Sequence, residues 1–531
     1  MNTDKTNSPE ITKKPPLNPS LSSDAIAGFV VFLLAMPLSL GIAKASDFPP
    51  MMGLLTAIIG GILVSFIAGS QLSIKGPAAG LIVIVIGAVA DFGGGETGWR
   101  FASGAIFVAG VLQVLFGLLR FGRLVDFFPL SSIHGMLAAI GIIIIIKQIP
   151  VLLNVDPTII TGKTILGLIA TIPEQLRTMD SRAALVGVVS LWIMLAWSKH
   201  SLKPLRKIPA PLMVLLFAIP AQLILDFDKQ TSGNSLLQIG SLFEGFGWKA
   251  DFSGISKPFT FIRYVLMFAL VGSIESLLTV KATDLMDPLQ RKSRNSLDLI
   301  AIGAGNMLSA AFGGLPMISE VARSSANVNS GGLTVRSNFF HGLFLLLFVV
   351  LALPLIQMIP NTALAAMLIS VGLKLAHPRE FIHIFKIGAD QMVIFIVTIL
   401  LTLFQDLLVG IAAGILVKII FHVLNGAPFK SLFSVAASIS FNENNYLIEV
   451  EKVAAFTNFL GIKSRLRAIP AGMNLTIDFS KTVFVDHSVM ENLDTFSKEY
   501  QQKGGRVSII GLENHQPTSA HPKASRVRSK K

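Results

Sequence analysis

The sequence predicts an α-helical polytopic membrane protein, with fourteen transmembrane segments in a 7+7 inverted repeat, two of them half-helices, and a small cytoplasmic α/β domain after them. Three observations predict it. Apolar residues make up 52% of the 531 residues and charged ones only 14%, on the greasy side of the soluble average. Uncharged stretches recur, many close to the ~20 helical residues that cross a hydrocarbon core. In each half, the third such stretch is too short to cross and follows a segment bearing Gly or Pro. Interrupted spans at matching positions are the mark of inverted repeats with a central site built on half-helix ends.

The same composition excludes other classes. Low charge argues against a disordered chain, and the absence of cysteine removes disulfide scaffolds, thiolate metal sites and Cys nucleophiles. The net charge of +13 raises the question of nucleic acid, which is settled by where the Lys and Arg fall. They gather in connections on one side of the spans, as a topology signal does.

Residues 1–23 are polar, with Pro15, Pro16 and Pro19, and read as a disordered cytoplasmic tail without a signal peptide. Spans of the first repeat (24–225) are expected at 25–43, 51–68, 77–90, 102–119, 132–146, 183–197 and 210–225. An outer loop, 226–258, follows. The second repeat (259–425) carries spans at 261–280, 297–312, 321–330, 339–353, 362–373, 391–403 and 407–421. Lys44-Ala45-Ser46-Asp47 after the first span is echoed by Lys281-Ala282-Thr283-Asp284 after the eighth. With the amino terminus inside, the inner connections hold Lys75, Arg120, Arg123, the basic run 199–207, Lys281, Arg291, Lys292, Arg294, Arg336, Lys374, Arg379 and Lys386. Both termini are therefore expected in the cytoplasm, in an inner (plasma) membrane.

Beyond residue 428 the hydropathy turns to short alternating segments. Strands are expected at 437–441, 446–450, 474–479 and 507–510, with an amphipathic helix at 489–501. This makes a small α/β domain over 429–513, and 514–531 reads as a basic disordered tail.

Ala35-Met36-Pro37-Leu38-Ser39-Leu40, Pro49-Pro50, Gly76-Pro77, Glu275-Ser276-Leu277-Leu278 and Arg323-Ser324-Ser325-Ala326-Asn327 together resemble the sulfate permease (SulP) family of inorganic anion transporters. The terminal segment, with Leu475-Thr476-Ile477-Asp478-Phe479-Ser480 and Val485-Asp486-His487-Ser488, resembles the STAS domain of such transporters. The resemblance covers residues 24 to about 513. It implies core and gate domains, a homodimer, and a substrate site between the third and tenth spans. The chain departs from the family pattern at Leu38, where many relatives have Gln, at Lys75 before Gly76-Pro77, and at Glu320. Ser488 matches the position phosphorylated in soluble STAS regulators but lacks the usual following Gly.

An anion in mid-membrane must find donors and positive potential to replace its water. Two facing helix amino ends supply both. Gly76 allows close backbone approach, Pro77 suits a first helical turn, and Ala78 follows them. Opposite, Ser319 is a plausible N-cap for a half-helix whose first turns hold Ala322, Arg323 and Ser324. Lys75 either adds charge to the site or snorkels to the inner surface. Arg323 alternatively does no more than neutralise Glu320 three residues earlier. The resemblance places Glu275 and Thr279 at the ion-coupling position. Gly272, Glu275 and Thr279 share one helix face, and a buried Glu275 without a partner favours proton exchange. The competing structural role is a pair with Lys75, Lys281 or Arg323. His134 opens the fifth span and reads as an interfacial or packed histidine rather than a proton relay.

These residues predict secondary-active transport of a small inorganic anion, sulfate by default or bicarbonate, by alternating access and coupled to protons. Alternatives are a sodium-coupled bicarbonate transporter, a nucleobase transporter of the same fold, and an anion channel or sensor acting through the terminal domain. The partners expected are the anion, a proton or sodium ion, the lipid bilayer and a second copy, with no nucleic acid. No cofactor or metal site is expected, and no cluster of catalytic type marks an enzyme.

Overall fold

In the computed structural model, the described residues are 20–122, 129–160, 163–197, 208–225, 236, 239, 247–405, 407–442 and 445–529. Arg123, the basic run 199–207, most of the loop 226–246, Lys530 and Lys531, and all of the amino-terminal tail before Ser20 lie outside them.

Fourteen helices occupy the expected positions. In the first half they are α1 (Leu21–Ala45), α2 (Pro50–Ile62), α3 (Ile82–Asp91), α4 (Gly95–Leu118), α5 (Leu130–Leu152), α6 (Ser181–Ala196) and α7 (Ala210–Leu225). In the second they are α8 (Pro258–Met286), α9 (Asn295–Ala311), α10 (Val321–Asn329), α11 (Arg336–Leu351), α12 (Asn361–Leu375), α13 (Ala389–Phe404) and α14 (Leu407–Leu424). By length and composition, α1, α4, α5, α8 and α14 are each apolar enough to cross a bilayer alone. Pro37 sits inside α1, where its ring removes one helical hydrogen bond without ending the helix.

The packing shows the repeat directly, because most of the largest contacts between helices have a counterpart with the two halves exchanged. The α1–α11 contact is matched by α8–α4, α2–α11 by α9–α4, and α1–α10 by α8–α3. Likewise α5–α13 is matched by α12–α6, and α6–α7 by α13–α14, while α5 packs on its own counterpart α12. Two bundles result. One holds α1–α4 with α8–α11, the other α5–α7 with α12–α14, and every bundle draws on both halves.

At the centre of the first bundle, β1 (Lys75–Pro77) pairs antiparallel with β2 (Met317–Ser319), in the register Lys75 to Ser319, Gly76 to Ile318 and Pro77 to Met317. Two strands in lipid would leave edge groups unsatisfied, at several kcal/mol each. Side chains from the surrounding helices satisfy them. Asn338 Oδ1 accepts from the Lys75 N–H (3.2 Å), and Asn306 Oδ1 from the Met317 N–H (2.6 Å). Ser276 Oγ accepts from the Ser319 N–H (3.1 Å) and Ser324 Oγ from the Ile74 N–H (2.9 Å).

The described residues of the carboxyl-terminal domain form two four-stranded sheets and two longer helices, α15 (Phe459–Arg467) and α16 (His487–Gln502). The first sheet joins β3 (Ala437–Asn442), β4 (Asn445–Val450), β6 (Asn474–Asp478) and β8 (Arg506–Ile510) in the order β3-β4-β6-β8. The second has the order β5-β7-β10-β9 and is built from β5 (Lys452–Ala454), β7 (Thr482–Val485), β9 (His515–Pro517) and β10 (Arg526–Arg528). Residues 515–528 are thus folded, against the expectation of a disordered tail over 514–531. Val527 packs on the cluster of Val453 and Phe484, and Lys523 bridges Glu491 and Asp494, so apolar and ionic contacts together hold a segment whose charge alone suggests solvation.

This domain docks on the membrane domain through a buried ion pair. Lys418 Nζ of α14 lies 3.0 Å from Asp486 Oδ1, both side chains 0% exposed, and donates to Ser488 Oγ at 2.8 Å. Burial alone raises the Asp486 carboxyl, but the Lys418 ammonium and the His422 ring outweigh it and hold the group well below the usual carboxylate range. Ser488 is itself buried beneath Lys418, so it is not open to modification while the domains stay docked.

Candidate functional site

Both interrupted segments run from a strand into a short helix at the same place. Chain turns out of β1 through a single 3-10 turn, Ala79–Leu81, into α3, and out of β2 through Glu320 into α10. The first helical hydrogen bonds are Leu81 N–H to Ala78 O (3.2 Å) and Ser324 N–H to Glu320 O (3.0 Å). Ahead of them stand the amides of Ala79, Gly80, Val321 and Ala322, the groups a helix leaves unpaired at its positive end.

Two expectations are corrected here. Pro77 is not in a first helical turn but in β1, and helix α3 proper begins at Ile82, because Gly76 and Pro77 are drawn into pairing with β2. The N-cap of α10 is Glu320, not Ser319: Glu320 Oε2 accepts from the Arg323 N–H at 3.2 Å. Ser319 is held in β2, and its Oγ donates to Asp298 Oδ2 at 3.2 Å.

Arg323 and Ser324 both lie against the Ile74–Gly76 segment. Arg323 is fully buried, and a methyl group placed on Gly76 would fall 2.2 Å from its Nη1. Only glycine lets strand and guanidinium approach this closely. Arg323 Nη2 donates to Ser39 Oγ on α1 at 3.2 Å. Its Nε lies 3.4 Å from Glu320 Oε2, an ion pair without hydrogen-bond alignment, and Nη1 and Nε have no hydrogen-bond partner. Glu320 therefore offsets the charge without occupying the donors. Ser324 is less available, since its Oγ both accepts from Ile74 and donates to Glu320 O at 2.7 Å. Ala322 is partly exposed at the helix end.

Lys75 neither snorkels nor adds free charge. It is wholly buried, with Nζ 2.8 Å from Asp298 Oδ1 and a second hydrogen bond to Ser73 Oγ. The sequence offered no sign of this pairing, because Asp298 lies 223 residues away.

Glu275 lies on α8 against the head of α3. A methyl group on Gly80 would fall 2.2 Å from Oε1 and 2.4 Å from Oε2. The carboxylate forms no ion pair among the described residues, so the expected alternatives of Lys75, Lys281 and Arg323 are not its partners, and Oε1 has no hydrogen-bond donor. Gly272 on the same face meets Leu81 and Gln113, and Thr279 is buried, so this face turns to α3 and α4 as the spacing implies. Glu275 and Arg323 thus flank the two helix heads, a lone carboxylate by α3 and a half-satisfied guanidinium by α10.

Three residues besides Asp298 escaped the sequence reading. Asn306 and Asn338 hold the strands; an Asn within or at the edge of an otherwise apolar stretch is the signal that could have found them. His341 on α11 is fully buried, has neither ring nitrogen partnered, and lies within electrostatic reach of Arg323. His134, by contrast, is half-exposed, with Nδ1 3.2 Å from Glu380 Oε2 at the start of a short helix, Pro378–Ile387.

A profile of the Sulfate permease family matches residues 21–398. The chain belongs to this family. Membership makes it a member of a family of transporters rather than enzymes, and both interrupted segments fall inside the matched region. The chain is 26% identical over 512 residues to YvdB of Bacillus subtilis (strain 168), named provisionally as a sulfate transporter, across 94% of this chain and 93% of that one. It is 27% identical over 410 residues to the bicarbonate transporter BicA of Picosynechococcus sp. (strain ATCC 27264 / PCC 7002 / PR-6), across 75% and 69%. Its fold matches that of murine Solute Carrier 26 family member A9, an anion transporter in the inward-facing state, with a TM-score of 0.66 at 16% identity, covering 94% of this chain and 86% of that one.

Proposed function

We propose that this Sulfate permease family member moves a small inorganic anion, sulfate or bicarbonate, across an inner (plasma) membrane by alternating access of the site between α3 and α10. The observation that carries the reading is the fully buried Arg323, which keeps Nη1 and Nε without hydrogen-bond partners at the point where two helix amino ends begin. A buried cation left partly unsatisfied is costly, and an anion placed there supplies what is missing. The two bundles, one carrying the site and the other flanking it, serve as core and gate. On this reading the termini are cytoplasmic, the carboxyl-terminal domain is a STAS domain, and the functional unit is a homodimer.

Protons couple the movement through Glu275. A carboxylate buried without a cation is tolerated as the neutral acid or with a cation brought to it. Glu275 stands alone against Gly80, and among the described residues no group of three His, Cys, Asp or Glu gathers to hold a metal ion. Sodium coupling is the reading to be set against it.

The test is radiolabelled sulfate uptake into proteoliposomes, with bicarbonate and chloride as competitors and imposed pH or sodium gradients. Uptake should be saturable and driven by a proton gradient. Glu275→Gln should abolish its pH dependence while leaving anion exchange. Uptake that follows a sodium gradient and ignores pH overturns the proton step, and non-saturating conductance overturns alternating access.

A further inference from the structure

A cavity of about 790 Å³ lies between the membrane domain and the carboxyl-terminal domain, well away from the α3–α10 crossing. Its membrane-side wall is the end of α4, the last turns of α8 and the connection into α9. Its other wall is α15 and α16. No residue of α5–α7 or α12–α14 lines it, so it is not the cleft between the two bundles.

Eight Lys or Arg side chains line the cavity against three acids. Some of these charges are already spent. Arg291 forms a bidentate pair with Asp287, and Lys292 pairs with Glu499 across the domain boundary. Lys281 donates to Asn492 Oδ1, a second link between the domains. Arg120 and Arg294 on one wall and Arg467 and Lys503 on the other have no ion pair among the described residues, and all four are exposed to the cavity or its mouth. The carboxyl ends of α15 and α16 absorb part of the Arg467 and Lys503 charge, but the amino end of α9, at Asn295 and Ser296, adds to the positive side.

We propose that this cavity is a second anion site, one that binds a phosphate compound with two or more phosphate groups and bridges the two domains. Four unneutralised cations converging from two walls match several negative charges, and a single small oxyanion cannot reach both. The volume lies in the range of sites for cofactor-sized molecules. Arg supplies the planar fork that phosphate oxygens accept in pairs, and three of the four uncommitted cations are Arg. Phe496 and Tyr500, with ring centroids 5.5 Å apart, give the cavity an apolar side for the remainder of the molecule. Lys281 ties the site to α8, six residues beyond Glu275, so a bound ligand would bear on the helix that carries the lone carboxylate.

The same chemistry is found in a soluble polyphosphate ester and in a cluster of phospholipid headgroups, and the experiment separates them. Calorimetric titration of the purified full-length protein in neutral detergent with ATP should show one saturable site, with inorganic phosphate binding far more weakly. The double variant Arg467→Glu/Lys503→Glu, and Arg294→Glu on the opposite wall, should each weaken ATP binding about tenfold or more. Arg506→Glu, exposed and outside the cavity, should leave it unchanged. In nanodiscs, ATP binding that persists with phosphatidylglycerol present assigns the site to a soluble ester. Loss of binding there but not in phosphatidylcholine assigns it to the headgroups. Absence of saturable ATP binding in detergent, or binding indifferent to reversals on both walls, overturns the proposal. These titrations read no transport, so their failure leaves the anion pathway of the α3–α10 crossing untouched.

Discussion

Two fully buried cations stand at one pair of strands, Lys75 within β1 and Arg323 just beyond β2, and they are treated in opposite ways. Lys75 meets Asp298 at 2.8 Å and Ser73 besides, so its charge is closed off within the protein. Arg323 meets Glu320 only obliquely at 3.4 Å and donates to Ser39, leaving Nη1 against the bare backbone of Gly76. On the proposed function, the difference separates a cation that fastens the fold from one held ready for a ligand. Position in the membrane does not distinguish them. The completeness of the hydrogen bonding does.

That contrast can be broken most severely at Asp298. Asp298→Ala strands the Lys75 ammonium without a counter-charge, a loss of roughly 3–5 kcal/mol. Purified protein should unfold at markedly lower temperature, and Lys75→Met combined with Asp298→Leu should recover most of the difference. Equal stability of Asp298→Ala and the parent chain would remove the structural role given to the pair.

Arg323→Ala should do the reverse, lowering anion uptake by roughly a hundredfold, in line with the ~2–5 kcal/mol lost when one partner of a buried charged contact is truncated. Its thermal midpoint should change far less than that of Asp298→Ala. Wild-type uptake rates in Arg323→Ala proteoliposomes would erase the distinction between the two cations.

Gly80→Ala sharpens the comparison from the α3 side. The added methyl falls 2.2 Å from Glu275 Oε1, so α3 and α8 must part or the carboxylate must turn away. Because the clash is with the tip of a side chain, the carboxylate can turn aside, and the change moves Glu275 more than it unfolds the protein. Uptake and its pH response should both be disturbed, while ATP binding at the domain boundary stays as it was.

The smallest effect concerns the carboxyl-terminal domain. Burial pushes the His487 ring below the ordinary histidine range. The unfolded chain therefore takes up a proton as pH falls through about 6.5 while the folded ring resists it. Stability should decline from that pH downward, and His487→Gln should flatten the decline in pH-dependent melting curves. The depressed Asp486 carboxyl acts in the same direction but only below the ordinary aspartate range, so docking through Lys418 should hold across neutral pH.

The helices were legible because hydropathy reports burial in lipid directly, and α7 runs over the residues the pattern marks. The pairing of the interrupted segments was legible from their matching places in each half. Their strands were not, since three residues such as Lys75, Gly76 and Pro77 carry no period. Local rules also favoured Ser319 over Glu320 as the cap, and only the pull of β1 on Ser319 reverses that order. Partners far apart in the chain, such as Lys75 with Asp298 and Lys418 with Asp486, leave no trace in composition. The closing strands β9 and β10 were hidden for a related reason: their basic residues look solvated until Glu491, Asp494 and Phe484 are set beside them.

The exchange of halves between bundles constrains how the chain is made. Seven helices emerging first cannot complete either bundle, and β1 has no strand to join until β2 arrives some 240 positions later. A polypeptide severed between α7 and α8 should therefore yield two fragments that are unstable when expressed singly and regain activity only when they are produced in the same cell.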